Sequence, residues 1–286
     1  MSVPKGKLVA IGGNVDKGSD ENPAHTGRVN FFEAGILQRI LSEIKGRHSL
    51  IEVVTTASMI PEEVGESYVE AFNRLGCTNV RLMHIKERKH TLNPDYLHRL
   101  KEADGIMFTG GNQSRLSEIW GETELLSLLH ERYLHENFLI AGTSAGAMAK
   151  SNTMICGGES SESLYKGAVK MGLGFGFVKD IIIDTHFVVR GRFGRLAQAV
   201  ATNPGSLGIG LGEDTGVLIT SGHYVETIGS GLVLIFDGQH IKHNNIADLP
   251  EGFPISIENL MVHVLAKGNC FDVSTRTFIP QTEFMI

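Results

Sequence analysis

Residues 137–151 constrain the fold of this chain more than any other stretch. Asn137-Phe138-Leu139-Ile140-Ala141 is short and apolar enough for a buried strand, and Ala147-Met148-Ala149-Lys150-Ser151 is rich in good helix formers. Between them stands Gly142-Thr143-Ser144-Ala145-Gly146. A strand, a Gly-x-Ser-x-Gly turn and a helix are the parts of a nucleophile elbow, which holds one serine on a strained bend and aims its hydroxyl out of the sheet. Glycine on either side fits a turn so tight that a β-carbon would meet the neighbouring strand or helix. The plain alternative is an ordinary strand-to-helix loop.

Around the elbow the chain alternates. Leu8-Val9-Ala10-Ile11 runs into Gly12-Gly13, and Phe31, Phe32, Ile36, Leu37, Ile40, Leu41 and Ile44 then recur at helical spacing. Leu50 to Thr56 reads as a strand, Glu62 to Leu75 as a helix, Val80 to Ile85 as a strand, and Ile106-Met107-Phe108 leads into Thr109-Gly110-Gly111. Short buried runs separated by helices predict an α/β fold, with βαβ units around a parallel sheet as far as residue 215. Glycine pairs at strand ends mark the carboxyl edge, where such sheets place ligands. Beyond it, Val217–Thr220, Tyr224–Thr227, Leu232–Ile235 and Cys270–Val273 look like short strands split by turns such as Ser221-Gly222 and Asp237-Gly238. Residues 216–286 are therefore expected to form a β-rich antiparallel extension packed on the main sheet of a single domain spanning 1–286.

A formal charge of −6 without any Lys/Arg block excludes a basic stripe for nucleic acid. No apolar run approaches the roughly 18 residues that span a bilayer. The start, Met1 to Lys7, lacks the apolar stretch of a secretory signal. Cys77, Cys156 and Cys270 are too far apart to suggest a disulfide framework or a cysteine zinc site. A cytoplasmic location without a membrane partner is the expectation.

A serine elbow needs a base, a group to orient that base, and donors for an oxyanion. Among twelve histidines, His186 stands out because it ends the apolar run Asp180-Ile181-Ile182-Ile183-Asp184-Thr185, at the edge where the elbow should open. Glu213, after Gly208-Ile209-Gly210-Leu211-Gly212, is a candidate to orient the ring; Asp214, Glu159 and Asp184 are rivals that spacing does not separate. The amide of Ala145 suits an oxyanion hole in any elbow, and a second donor could come from Gly110 or Gly111. Arg190, Arg192 and Arg195 follow the histidine, with Arg192 and Arg195 on one helical face. Guanidinium groups grip carboxylates bidentately, so the cluster implies an acidic substrate. At a helix N-terminus arginines also oppose the dipole, which suggests a purpose other than helix stability.

With these segments in their order, including Asp16-Lys17 after the first strand and Asn112-Gln113 after Gly110-Gly111, the chain resembles the cyanophycinases. Their family of serine peptidases also holds aspartyl dipeptidase (peptidase E). The resemblance implies a flavodoxin-like sheet related to class I glutamine-amidotransferase domains. It also implies a homodimer and hydrolysis without metal or organic cofactor. The family's nucleophile falls on Ser144, its histidine on His186 and its third member on Glu213, beside which the Gly111 and Ala145 amides are the expected oxyanion donors on the elbow's own geometry. Gln113, Asp184, Thr185, Arg190, Arg192 and Arg195 fall on its substrate-pocket positions. Thr185 stands where the family usually carries glutamine, and Asn112 where an aspartate is common. The implied activity is release of β-Asp-Arg dipeptides from cyanophycin, a polyaspartate whose side-chain carboxyls carry arginine. Alternatives are an aspartyl or isoaspartyl dipeptidase of the same family, and a non-catalytic small-molecule binder.

Overall fold

The computed structural model describes residues 3–18 and 29–281; Met1 and Ser2, which open the start read for a secretory signal, lie outside the described residues. The first half alternates strand and helix. It runs β1 (Lys7–Ile11), α1 (Phe31–Ala34), α2 (Ile36–Ser42), β2 (Ile51–Val54), α3 (Pro61–Arg74), β3 (Val80–Met83), α4 (Pro94–Glu102), β4 (Gly105–Phe108), α5 (Gln113–Trp120), α6 (Glu124–His135), β5 (Leu139–Thr143) and α7 (Ala145–Met148). Local chemistry sets the helix starts. Pro61 opens α3 ahead of Glu62 and Glu63, which favour the positive end of the helix dipole. Asn93, Asn112 and Thr123 cap α4, α5 and α6 by accepting from the amides of Asp95, Ser114 and Leu126. Asn112, placed near the pocket by sequence, is thus a helix cap. The helical spacing from Phe31 to Ile44 is broken at Gly35, whose extended backbone separates α1 from α2.

The second half comprises β6 (Thr153–Gly157), β7 (Lys170–Leu173), β8 (Ile181–Asp184), α8 (Phe193–Thr202), β9 (Leu207–Leu211), β10 (Thr215–Thr220), β11 (Tyr224–Gly229), β12 (Val233–Asp237), β13 (His243–Asn244), β14 (Ile257–Glu258), β15 (Met261–Leu265), β16 (Cys270–Asp272) and β17 (Thr277–Ile279). The main sheet has nine strands in the order β17-β16-β11-β10-β1-β5-β4-β2-β3. The five from β1 to β3 are parallel, and β10, β11, β16 and β17 continue them antiparallel. Alternate residues of β1 serve opposite faces: Val9 and Ile11 join the core under α1–α3, Leu8 and Ala10 the larger core beneath α4–α7.

Two expectations are corrected here. The β-rich segment does not form one addition packed on the main sheet. It divides: β10, β11, β16 and β17 extend the main sheet edge to edge, β10 bonding β1 with Leu8 opposite Ile219, while β12 and β15 enter a second sheet. Also, β8 and β9 do not belong to the main sheet; they form a second, four-stranded sheet in the order β15-β12-β9-β8. Their residues are buried on both faces, so their apolar runs read like any strand of a parallel sheet. β8 and β9 are parallel, joined through α8, with Asp184 opposite Gly210. Both therefore deliver their following residues to one edge. Ile182, Ile209 and Ile235 of this sheet share the larger core with β4 and β5. Among the described residues no helix is long and apolar enough to cross a membrane.

Candidate active site

Ser144 sits between β5 and α7 at φ 51° and ψ −109°, a conformation L-residues rarely adopt. Its amide donates to the Ile11 carbonyl at 2.8 Å, and its carbonyl accepts from Ala147 and Met148 at 3.0 Å, pinning the bend to β1 and to the helix start. A β-carbon at Gly142 would overlap the Gly146 carbonyl, and one at Gly146 would overlap the Phe108 carbonyl of β4. Glycine at both positions is what lets strand and helix close to this distance.

His186 follows β8 and also has positive φ, 51°. Its Nε2 lies 3.0 Å from Ser144 Oγ, and its Nδ1 lies 2.6 Å from Glu213 Oε1. An ionised carboxylate only accepts, so the ring proton sits on Nδ1 and Nε2 is left to accept from the serine hydroxyl. The other acids are engaged elsewhere or face solvent. Asp214 accepts from the Asp16 amide at 2.9 Å and from Ser230 Oγ at 2.6 Å, Asp184 is locked to arginine, and Glu159 is exposed.

Gly13, at the end of β1, forms the floor of this arrangement. A β-carbon there would overlap His186 Cε1 and Nδ1 and lie 2.6 Å from Glu213 Oε2. The Gly12-Gly13 pair at a strand end was the signal for it. On the other side, a β-carbon at Gly110 would come 4.0 Å from Ser144 Oγ. Gly111 has φ 141°, and a β-carbon there would overlap the Ala57 carbonyl. The amides of Gly111 and Ala145 donate to no backbone carbonyl among the described residues.

The three arginines are not equivalent. Arg195 is buried: its Nε donates to Asp184 Oδ2 at 2.8 Å, a second guanidinium nitrogen donates to Asp184 Oδ1, and the third donates to the Gly158 carbonyl at 3.1 Å. Arg192 is half-buried and donates to Asp184 Oδ1 at 3.2 Å and to the Thr185 carbonyl at 2.7 Å. Burial pulls its pKa below the ordinary arginine value, against the opposing pull of Asp184. The expectation that Asp184, Thr185 and Arg195 face substrate is corrected by burial. Asp184 and Thr185 have no exposed surface, and Thr185 turns its hydroxyl to Met148 Sδ at 3.4 Å. Arg190 differs: it is exposed, its amide bonds the His186 carbonyl at 3.0 Å, and its guanidinium has no partner among the described residues. Gln113 begins α5 and donates to the Ile155 carbonyl at 2.9 Å.

Sequence gave no sign of two further groups around the elbow. Tyr68 of α3 donates to Thr143 Oγ1 at 2.8 Å, and burial pushes its phenol up to about 12. Lys150, two residues past α7, is wholly buried. Its Nζ bonds the Gly146 carbonyl at 3.1 Å, and desolvation pulls its pKa down to about 7.

A strained serine, an imidazole and a carboxylate in hydrogen-bonded series at the edge of an α/β sheet define a serine-type hydrolase. The chain belongs to Peptidase family S51, whose sequence model matches residues 31–227, and it is a serine-type peptidase. It is similar to a protein named cyanophycinase from Geminocystis herdmanii (strain PCC 6308), 33% identical over 240 residues that cover 84% of this chain and 88% of that one. Cyanophycinases of Trichormus variabilis and Synechococcus elongatus are 32% and 31% identical, covering 86% and 95% of this chain and 82% and 80% of theirs. Two solved structures share the fold. One, a peptidase from an acI-B1 Actinobacterium, has a TM-score of 0.63 at 20% identity, covering 95% of this chain and 98% of that one. The other, a putative peptidase E protein from Listeria monocytogenes EGD-e, has a TM-score of 0.52 at 19% identity, covering 79% and 98%.

Proposed function

We propose that this peptidase is an exopeptidase acting on cyanophycin, releasing β-Asp-Arg dipeptides through an acyl-enzyme. The observation that carries the reading is the unbroken series from Ser144 Oγ through the His186 ring to Glu213 Oε1. In it Ser144 attacks the carbonyl joining two β-Asp-Arg units, and His186 takes the hydroxyl proton at Nε2. Glu213 holds the Nδ1 proton and stabilises the imidazolium. The amides of Gly111 and Ala145 receive the developing oxyanion; one such donor is typically worth about 10²–10³ in rate. His186 then protonates the departing amine and, in the second half, draws a proton from the water that resolves the acyl-enzyme. Arg190, exposed and with no guanidinium partner among the described residues, is the cation open to a substrate carboxylate. Asp184, Arg192 and Arg195 act one layer back, fixing the strand end that carries His186. The relatives named cyanophycinase support the polymer as substrate.

The test is incubation with cyanophycin, Asp-Leu and an isoaspartyl dipeptide, followed by product analysis. Release of β-Asp-Arg from the polymer, lost in Ser144→Ala, is the expected result. Cleavage of the dipeptides alone would make the chain an aspartyl dipeptidase, and full polymer hydrolysis by folded Ser144→Ala would remove the nucleophile from the scheme.

A further inference from the structure

The loop after β1 carries a lysine that the scheme above does not use. The loop is stitched to the strand end bearing Glu213: the Asp214 amide donates to the Gly13 carbonyl at 2.8 Å, and the Asp16 amide donates to Asp214 Oδ1 at 2.9 Å. Lys17 comes next. Its Nζ donates to Ser67 Oγ at 3.0 Å and lies 4.5 Å above the centre of the Tyr68 ring. The Tyr68 hydroxyl in turn donates to Thr143 Oγ1, on the residue preceding the nucleophile. One aromatic side chain therefore separates this ammonium from the elbow.

Its surroundings differ from those of the ion-paired lysines. Lys7 pairs with Glu43, Lys45 with Asp104 and Lys86 with Glu62. Lys17 has no carboxylate within ion-pair distance among the described residues, although it is half-buried at the catalytic edge. Burial pulls its pKa below the ordinary lysine value. An ammonium has three N–H donors, and Ser67 takes one. Ser67 donates its own proton to the Val64 carbonyl at 2.8 Å, so its oxygen is fixed as an acceptor for Lys17. The tyrosine face adds an attraction for the cation without neutralising it. The result is an oriented positive charge that no carboxylate among the described residues compensates, the feature that recognises an anion.

We propose that Lys17 is a specificity-determining residue that binds a free carboxylate of the substrate, positioned for it by Tyr68 and Ser67. The proposal rests on the peptidase reading of the site. The substrate class it selects is an aspartyl peptide whose free acid lies on the β1 side of the elbow.

Protection of Ser144 from a fluorophosphonate provides a readout that does not need polymer turnover. Labelling rates are measured with β-Asp-Arg, Asp-Leu and succinate, and with the carboxamide forms of the two dipeptides, each against the same variant's ligand-free rate. Expected is protection by the acids at concentrations about tenfold lower than the amides in the natural protein. In Lys17→Met the acids fall to the level of the amides, and Lys17→Arg restores most of the difference. Equal loss for acid and amide in Lys17→Met, an unchanged acid preference, or no protection by any acid in the natural protein overturns the proposal. Cyanophycin hydrolysis is scored separately, so a chain that leaves the polymer intact but keeps the lysine-dependent acid preference refutes the polymer and not Lys17.

Discussion

The two sides of the His186 ring are built by opposite means. On the serine side, geometry is held by the absence of side chains: Gly142, Gly146 and Gly13 stand where a β-carbon would overlap backbone or the imidazole, and Ser144 sits on a strained bend. On the arginine side, geometry is held by charge, with both oxygens of buried Asp184 gripped by Arg195 and one also by Arg192. A steric frame tolerates no addition, whereas an electrostatic frame tolerates no deletion. Substitutions of the two kinds should fail differently.

The largest effect is expected at Asp184. Its replacement by alanine strands the Arg195 guanidinium in a buried setting, and breaking a buried pair from one side typically costs about 3–5 kcal/mol. Urea denaturation of Asp184→Ala should show a loss of that size, while Asp184→Asn, which keeps two acceptor lone pairs, should lose less. A variant as stable as the natural chain would mean that charge does not hold this corner.

Next comes Lys150, the exception on the serine side, a cation buried under the elbow beside the Phe108 ring and bonded, among the described residues, only to a carbonyl. Its pKa is near 7 folded against an ordinary 10.5. Between those values the unfolded chain holds a proton that the folded chain lacks, so this group makes stability rise with pH from about 7 towards 10.5. The full penalty is present below pH 7. Lys150→Met should therefore stabilise the protein at pH 6, on the order of 3 kcal/mol, with the gain shrinking towards zero by pH 10. Thermal unfolding at the two pH values checks it; an equal change at both would show that packing, not ionisation, sets the effect.

Gly13→Ala tests the steric frame directly. The added methyl displaces the imidazole or Glu213, so kcat should fall by about 10²-fold or more. The fold should survive, since the loop has its own anchors at Asp214. Circular dichroism with steady-state kinetics separates the two, and a fully active variant would deny Gly13 its place as the floor of the site.

The same contrast explains what could be read before the structure. The elbow is written in consecutive residues, because a steric frame is local: glycine, serine and glycine at fixed spacing between an apolar run and helix formers. The strand ends carrying His186 and Glu213 were legible as strand ends. Their membership of a second sheet was not, since a strand buried on both faces looks the same in either sheet. Nor could spacing choose Glu213 over Asp184, Asp214 and Glu159, because that choice depends on β8 and β9 lying parallel with Asp184 opposite Gly210. Most opaque were the arginines. Three guanidinium groups after a histidine look alike in sequence, and only the position of Asp184 shows that one is buried, one shared and one free. Lys17 stood in a segment that carried the family resemblance, but its surroundings were not legible, since its partners Ser67 and Tyr68 lie fifty residues on, in α3.

The smallest predicted effect sharpens the comparison most. Arg190 belongs to the arginine side by sequence but takes no part in its charge frame: it is exposed, and no acid among the described residues holds it. Arg190→Ala should leave the urea midpoint unchanged, as expected for a surface substitution away from buried networks. Its guanidinium is free to pair with a substrate carboxylate, and an exposed, partly hydrated pair of that kind contributes on the order of 1 kcal/mol. KM for the peptide substrate should then rise between about three- and tenfold with kcat little changed, the pattern of a lost contact made equally in ground and transition states. Arg190→Lys should recover part of the affinity by charge alone, without the bidentate geometry. Arg192→Ala should do the reverse, lowering stability and kcat together because the Thr185 carbonyl and Asp184 behind His186 lose a donor. If the two variants behave alike, the division of the cluster into one free arginine and two framing ones is wrong.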